Sequence, residues 1–147
     1  AQAGRPVIPL PRAWLEPDSF DFSFSGLKSA VIQAVTRAEQ VGETWRLEDV
    51  AASFQAAVVE VLVEKTVRAA QALRVRQLLL AGGVAANRGL RQALQQRCAE
   101  LGIPLVVPPL SLCTDNAAMI AAAGDVLFER GVFAGMDLNA MADWTLA

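Results

Sequence analysis

The sequence predicts an α/β unit, rich in helix and built on parallel strands, and three observations carry that prediction. Apolar residues recur at helical spacing through two long segments of the first half. Two short apolar runs, Gln77-Leu78-Leu79-Leu80-Ala81 and Ile103-Pro104-Leu105-Val106-Val107, stop at Gly82-Gly83 and at Pro108-Pro109. A helical segment lies between the two runs, so a crossover joins them and the strands run parallel. With 54% hydrophobic and 19% charged residues in 147, the chain has the composition of one core-forming domain rather than of a disordered segment.

Residues 1–20 hold four of the seven prolines (Pro6, Pro9, Pro11, Pro17) and little periodicity, so they read as an irregular arm leading into one lobe over 21–147. Leu27, Val31, Ala34, Val35 and Ala38 then follow helical spacing, with Ser23 or Ser25 placed to cap the first turn, Phe22 and Phe24 anchored in the core, and Gly42 closing the helix. A longer helix starts near Leu47, where Glu48 and Asp49 favour the positive end of its dipole, continues through Val50, Phe54, Ala57, Val58, Val61 and Leu62, and ends near Leu73. The first strand is followed by a helix over 87–101 that Gly102 ends, and the second by a helix over 114–130 that Gly131 ends. Two parallel strands alone leave both sheet edges open, and no further strand is legible. The chain therefore reads as part of a larger sheet, and its start at Ala-Gln-Ala-Gly-Arg-Pro, without Met, fits a piece of a longer protein.

Composition also removes whole classes of chemistry. The chain has no histidine, so no His triad, His base or His ligand can come from it. Cys98 and Cys113 form no CxxC pair, which fits reduced thiols in a cytoplasm. No apolar run approaches the roughly 18–20 residues of a membrane span, and the start lacks the basic and apolar regions of a signal peptide. The net charge is only −2, yet Lys65, Arg68, Arg74, Arg76, Arg88, Arg91 and Arg97 fall in a stretch without an acid, while the six acids from Glu100 onward meet only Arg130. Such a stripe is either a solvated helix surface or a face for an anionic ligand or RNA backbone.

Both strands lead into loops at their carboxyl ends, where ligands bind in open α/β sheets. In Ala81-Gly82-Gly83-Val84-Ala85-Ala86-Asn87-Arg88 the paired glycines permit either tight packing or close approach of a nucleotide to a helix start with open N–H groups. In Leu112-Cys113-Thr114-Asp115-Asn116-Ala117-Ala118-Met119, Thr114 or Asp115 serves as a plain helix cap, or Asp115 holds a divalent metal or orients a nucleotide, although one carboxylate needs partners that this chain lacks. Cys113 reads as a small buried residue, with no base beside it to activate a thiol. A third string, Asp21-Phe22-Ser23-Phe24-Ser25-Gly26-Leu27-Lys28, sits at a helix entrance.

Taken together, and in this order and spacing, the three strings resemble the TsaD family, the tRNA N6-adenosine threonylcarbamoyltransferases formerly described as glycoproteases. The resemblance runs from about residue 4 to 138 and covers the C-terminal part of a longer family member. It implies an actin-like, Hsp70-like ATPase fold of ribonuclease H-like lobes, of which this chain supplies the end of the second. The implied reaction moves a threonylcarbamoyl group from threonylcarbamoyl-adenylate, an adenine nucleotide, to the N6 amine of the adenosine beside the tRNA anticodon. Implied site residues are Gly82, Gly83 and Asn87 for substrate and Asp115 for one divalent metal, iron or zinc, whose histidine partners lie outside this chain. Lys65, Arg68, Arg88 and Arg91 are candidate tRNA contacts. Implied partners are tRNA, a TsaB-type paralogue and a TsaE-type ATPase, in the cytoplasm and without a membrane. No residue is assigned as general acid or base, and the chain alone is expected to be inactive. The family ends in a basic Arg-Trp-Pro-Leu-like tail where this chain has Ala142-Asp143-Trp144-Thr145-Leu146. Two other readings stay open, a noncatalytic nucleotide-binding partner lobe and the metalloprotease of the older family description.

Overall fold

The computed structural model describes residues 1–16 and 18–140. Its elements are α1 (Ser25–Gln40), α2 (Leu47–Ala72), β1 (Leu78–Leu79), α3 (Arg88–Glu100), β2 (Leu105–Val106) and α4 (Ala117–Glu129), with 3₁₀ turns at Gly83–Ala86 and Leu110–Leu112. β1 and β2 pair in parallel, Leu78 opposite Leu105 and Leu79 opposite Val106, with α3 as the crossover. The helix-rich α/β order with two parallel strands is the one the sequence predicts. The strands are shorter than the apolar runs that announce them, because each has a neighbour on one side only among the described residues.

α2 organises the rest. Apolar residues surround it, which is the pattern of a helix buried on more than one side. One face meets α3 and the strands, where Val63 and Val67 join Leu90, Leu94 and Cys98 in one cluster against Leu78, Leu80 and Leu105. The other meets α1 and the arm, where Ala57 joins Ile8, Leu10 and Leu27. The arm forms no helix or strand among its described residues, yet it is more than a lead-in. It runs along α2 and bonds to it at three points: Arg5 N donates to Asp49 Oδ1 at 2.7 Å, Ile8 N to Ser53 Oγ at 3.0 Å, and Arg12 Nε to Glu60 Oε2 at 2.8 Å. Ile8 and Leu10 are core residues.

Several expectations change. Neither Ser23 nor Ser25 caps α1: Phe24 holds the cap position without a side-chain bond, and the two hydroxyls bond each other at 3.2 Å. Phe24 packs against the α1–α2 cluster as expected, whereas Phe22 is exposed and stacks on Phe24 at 6.4 Å. α2 ends at Ala72 through Arg74 at φ +51°, a left-handed position held by a residue that sequence alone does not mark as a stop. β1 is not buried on both faces, since Leu79 is 64% exposed. α4 begins at Ala117 rather than Thr114, and every described residue of it is exposed. The tail residues Ala142, Asp143, Trp144, Thr145 and Leu146 lie outside the described residues.

Candidate functional site

Parallel pairing of β1 and β2 places the loops after both strands at one end of the sheet. After β1 the chain reaches Gly82 at φ +85° and ψ 169°, a conformation open essentially to glycine alone, and this turns it into Gly83–Ala86. After β2 the prolines lead through Leu110–Leu112 to Cys113, which is buried with its thiol donating to the Pro108 carbonyl at 3.6 Å. The two loops touch: a Cβ built on Gly83 would lie 3.9 Å from Thr114 Cγ2. Among the described residues only Thr114 comes within 4 Å of that position, so Gly83 is uncrowded.

Each loop ends in a capping asparagine. Asn87 Oδ1 accepts from Leu90 N at 3.0 Å, and Asn116 Oδ1 accepts from Met119 N at 3.0 Å while its Nδ2 donates to the Thr114 carbonyl at 2.9 Å. The plain-cap reading of Thr114 or Asp115 is therefore corrected, because Asn116 performs that role. Asp115 is left exposed, with no hydrogen bond or ion pair among the described residues. The helix entrance after Gly82-Gly83 is also less open than the sequence suggests, since the Leu90 N–H already has its acceptor.

Asn87 has a second partner that the sequence does not reveal. Its Nδ2 donates to Gln55 Oε1 at 3.1 Å, and Gly89 is small because a Cβ there would come within 2.8 Å of Gln55 Nε2. The sole clue to Gln55 is an amide among the apolar residues of α2. The Asp21–Lys28 string joins the same region. Phe24 and Lys28 line a cavity of about 690 Å³ together with Ala81, Val84, Ala85 and Asn87, against an apolar wall that includes Phe54, Val58 and Leu62. The Gly82-Gly83 string thus lies beside each of the other two, the first across the cavity and the third at Thr114.

The four candidate RNA-contacting cations separate. Lys65 is fully buried in α2, where its Nζ donates to the Asp21 carbonyl and lies 5.8 Å from the centroid of the Phe22 ring. A phosphate cannot reach it, so the expectation for Lys65 is corrected. Arg68 is half-buried and already engaged within the chain. Arg88 is exposed and Arg91 half-buried, and neither makes an ion pair or hydrogen bond among the described residues. Arg97, at the far end of the stripe, pairs with Glu64 at 3.1 Å and Glu100 at 2.9 Å. The Arg97 guanidinium, helped by Gln96, holds the Glu100 carboxyl below the usual range. Burial pushes the Cys98 thiol up, which keeps it protonated and unreactive.

As for metals, the described residues contain no group of three or more His, Cys, Asp or Glu placed to hold an ion. The exposed Asp115 carboxylate has no partner among the described residues. No helix among the described residues is long and apolar enough to cross a membrane.

The sequence model of one family, TsaD (tRNA N6-adenosine threonylcarbamoyltransferase), matches residues 1–122. Among curated proteins, the tRNA N6-adenosine threonylcarbamoyltransferase of Halalkalibacterium halodurans is 64% identical over 136 residues, covering 92% of this chain and 40% of its own length. Those of Anoxybacillus flavithermus and Geobacillus kaustophilus are each 65% identical over 141 residues, covering 95% of this chain and 41% of their own lengths. The chain spans about two fifths of the length of the curated relatives it matches.

Proposed function

Because the chain belongs to the TsaD family of tRNA N6-adenosine threonylcarbamoyltransferases, we propose that it forms the substrate-facing end of the second lobe of an actin-like enzyme. That enzyme carries a threonylcarbamoyl group from threonylcarbamoyl-adenylate to the N6 amine of the adenosine beside a tRNA anticodon. The observation that carries the reading is that the Gly82-Gly83 string lies beside both others: Gly83 is close to Thr114, and Phe24 and Lys28 share a cavity with Ala81 and Asn87. The parallel strands with α3 as their crossover support the actin-like assignment.

In this reading Gly82 and Gly83 let the adenylate approach the backbone. Asn87 spends its carbonyl oxygen on the α3 cap and one amide hydrogen on Gln55, which leaves its second amide hydrogen for the substrate. Because Asn116 caps α4, Asp115 is free to serve as this chain's one metal ligand. A divalent metal, iron or zinc, supplies polarisation of the adenylate's carbonyl or phosphate when bound. Transfer forms the bond from N6 to the carbamoyl carbon and breaks the bond from that carbon to the phosphate oxygen, so AMP leaves and the amine gives up one proton to solvent. A cytoplasmic setting is supported by two free cysteines. The uncovered apolar length of α4 is consistent with cover by the rest of the enzyme or by its TsaB-type and TsaE-type partners.

The test is transfer of radiolabelled threonylcarbamoyl from the adenylate to unmodified tRNA by the full-length protein with its partners. Asn87→Asp keeps an oxygen for the cap and removes the amide donor from both the substrate and Gln55, so the expected result is adenylate binding weaker by about 1–3 kcal/mol, with a loss of stability of about 1 kcal/mol from the Gln55 contact that a thermal melt reads separately. A wild-type protein that binds the adenylate and never transfers to tRNA would favour the noncatalytic partner lobe instead.

A further inference from the structure

We propose that the groove between the outer face of α3 and residues 107–110 is a seat for the RNA sugar–phosphate backbone, an assignment that rests on the enzymatic reading above. α3 carries Arg88, Arg91, Gln92 and Gln95 at successive helical spacings, which sets them in one stripe along its surface. They form one wall of a groove of about 710 Å³ whose other wall includes Pro108 and Pro109, and no acidic residue lines it.

The distribution of partners along α3 marks this end out. Arg97, one helix length from the loops, is neutralised by Glu64 and Glu100, whereas Arg88 and Arg91 have no acceptor among the described residues. Two neighbouring guanidiniums left open on a chain of net charge −2 present an unspent anion-binding surface. Their forked donors match phosphate oxygens in a bidentate way that a single ammonium does not. The two carboxamides can both donate and accept, which suits ribose hydroxyls and base edges. The proline wall offers flat apolar surface to a ribose or base face. An acidic peptide offers carboxylates to the arginines and backbone amides to the glutamines, so binding of tRNA against binding of a protein partner separates the two occupants below.

The groove also lies in the right place. Arg88 follows Asn87 directly, and the prolines follow β2, so the seat opens at the same sheet end as Gly83 and Thr114. RNA held there would reach the loops without crossing the molecule.

The experiment measures binding of fluorescent unmodified tRNA to the full-length protein, with its partners, across a salt series. The double variant Arg88→Gln with Arg91→Gln is expected to lower affinity about tenfold near physiological salt. It should also flatten the slope of log affinity against log salt by about 1.4–1.8, as loss of two phosphate contacts requires, with adenylate binding unchanged. Gln92→Ala with Gln95→Ala should lower affinity and leave the slope alone. A double variant with wild-type affinity and slope, in a protein that still modifies tRNA, overturns the groove and leaves the enzymatic reading standing. Loss of a protein partner with tRNA binding intact also overturns it, and makes the groove a protein docking face. A wild-type protein that neither binds nor modifies tRNA overturns both.

Discussion

Asn87 and Asn116 hold equivalent places, each after a strand and a 3₁₀ turn, and each accepts the N–H three residues on at 3.0 Å. The repetition decides which residue at each loop is structural. In Thr114-Asp115-Asn116 any of the three could cap by residue type, and the sequence cannot rank them, because the choice follows from the backbone: Asn116 alone is the extended residue before the helix, at φ −153° and ψ 156°. Asn116→Ala should therefore cost about 1 kcal/mol of stability. Asp115→Asn should cost almost none, while removing bound metal and abolishing transfer in the full-length enzyme. Thermal melts of the metal-free protein beside metal analysis would check both, and a normal metal content with normal turnover in Asp115→Asn would strip that residue of its proposed role. Asn87 carries both kinds of work, which is why Asn87→Ala would lose cap, Gln55 contact and substrate contact together, whereas Asn87→Asp keeps the cap.

At the scale of the element, α2 was the most legible part of the sequence and also hid the most. Its span follows from apolar spacing and from Glu48 and Asp49 in the first turn, both of which survive in the structure. Its partners do not, because they are set by contacts between residues 32 to 48 positions apart, such as Asn87 with Gln55 and Arg12 with Glu60. The arm looked structureless for the same reason: Ile8 and Leu10 alternate, but two residues between prolines give too short a pattern to announce burial. Lys65 misleads most. Its charge places it in a basic stripe, yet helix phase turns it inward onto the Asp21 carbonyl. A lysine buried without a carboxylate is there for reach and packing, so Lys65→Met, which keeps the length, should change stability by less than about 1.5 kcal/mol. Lys65→Ala opens a cavity and should cost about 2–5 kcal/mol. The salt dependence of tRNA binding should be the same in Lys65→Met as in the wild type, and a slope lowered by about 1 would return Lys65 to the RNA surface.

Across the whole molecule, the described residues leave a sheet with both edges open and a last helix with no buried residue. β1 pairs only with β2, Leu79 stands 64% exposed, and α4 presents Met119, Ile120, Val126, Leu127 and Phe128 to solvent. The sequence already implies that two strands are too few for a sheet, and the chain spans about two fifths of the length of its curated relatives. Which surface covers α4 was not legible, because its apolar residues fall on several sides rather than on one stripe. An apolar helix of this kind is stable only when other chain packs around it. Ile120 gives a clean test, since it is 68% exposed here. Were that exposure retained in the intact protein, Ile120→Asp would behave as a surface change and shift stability by no more than about 0.5 kcal/mol. If the remaining part of the protein packs on α4, the same change buries a carboxylate against apolar surface, which costs several times as much. We expect the second result in the full-length protein, as a melting temperature lowered by at least several degrees, together with amide protons of α4 that exchange slowly in the wild type and rapidly in the variant. Wild-type melting behaviour in Ile120→Asp, with fast exchange throughout α4 in both proteins, would mean that this helix stays uncovered and that the missing part of the fold lies against β1 alone.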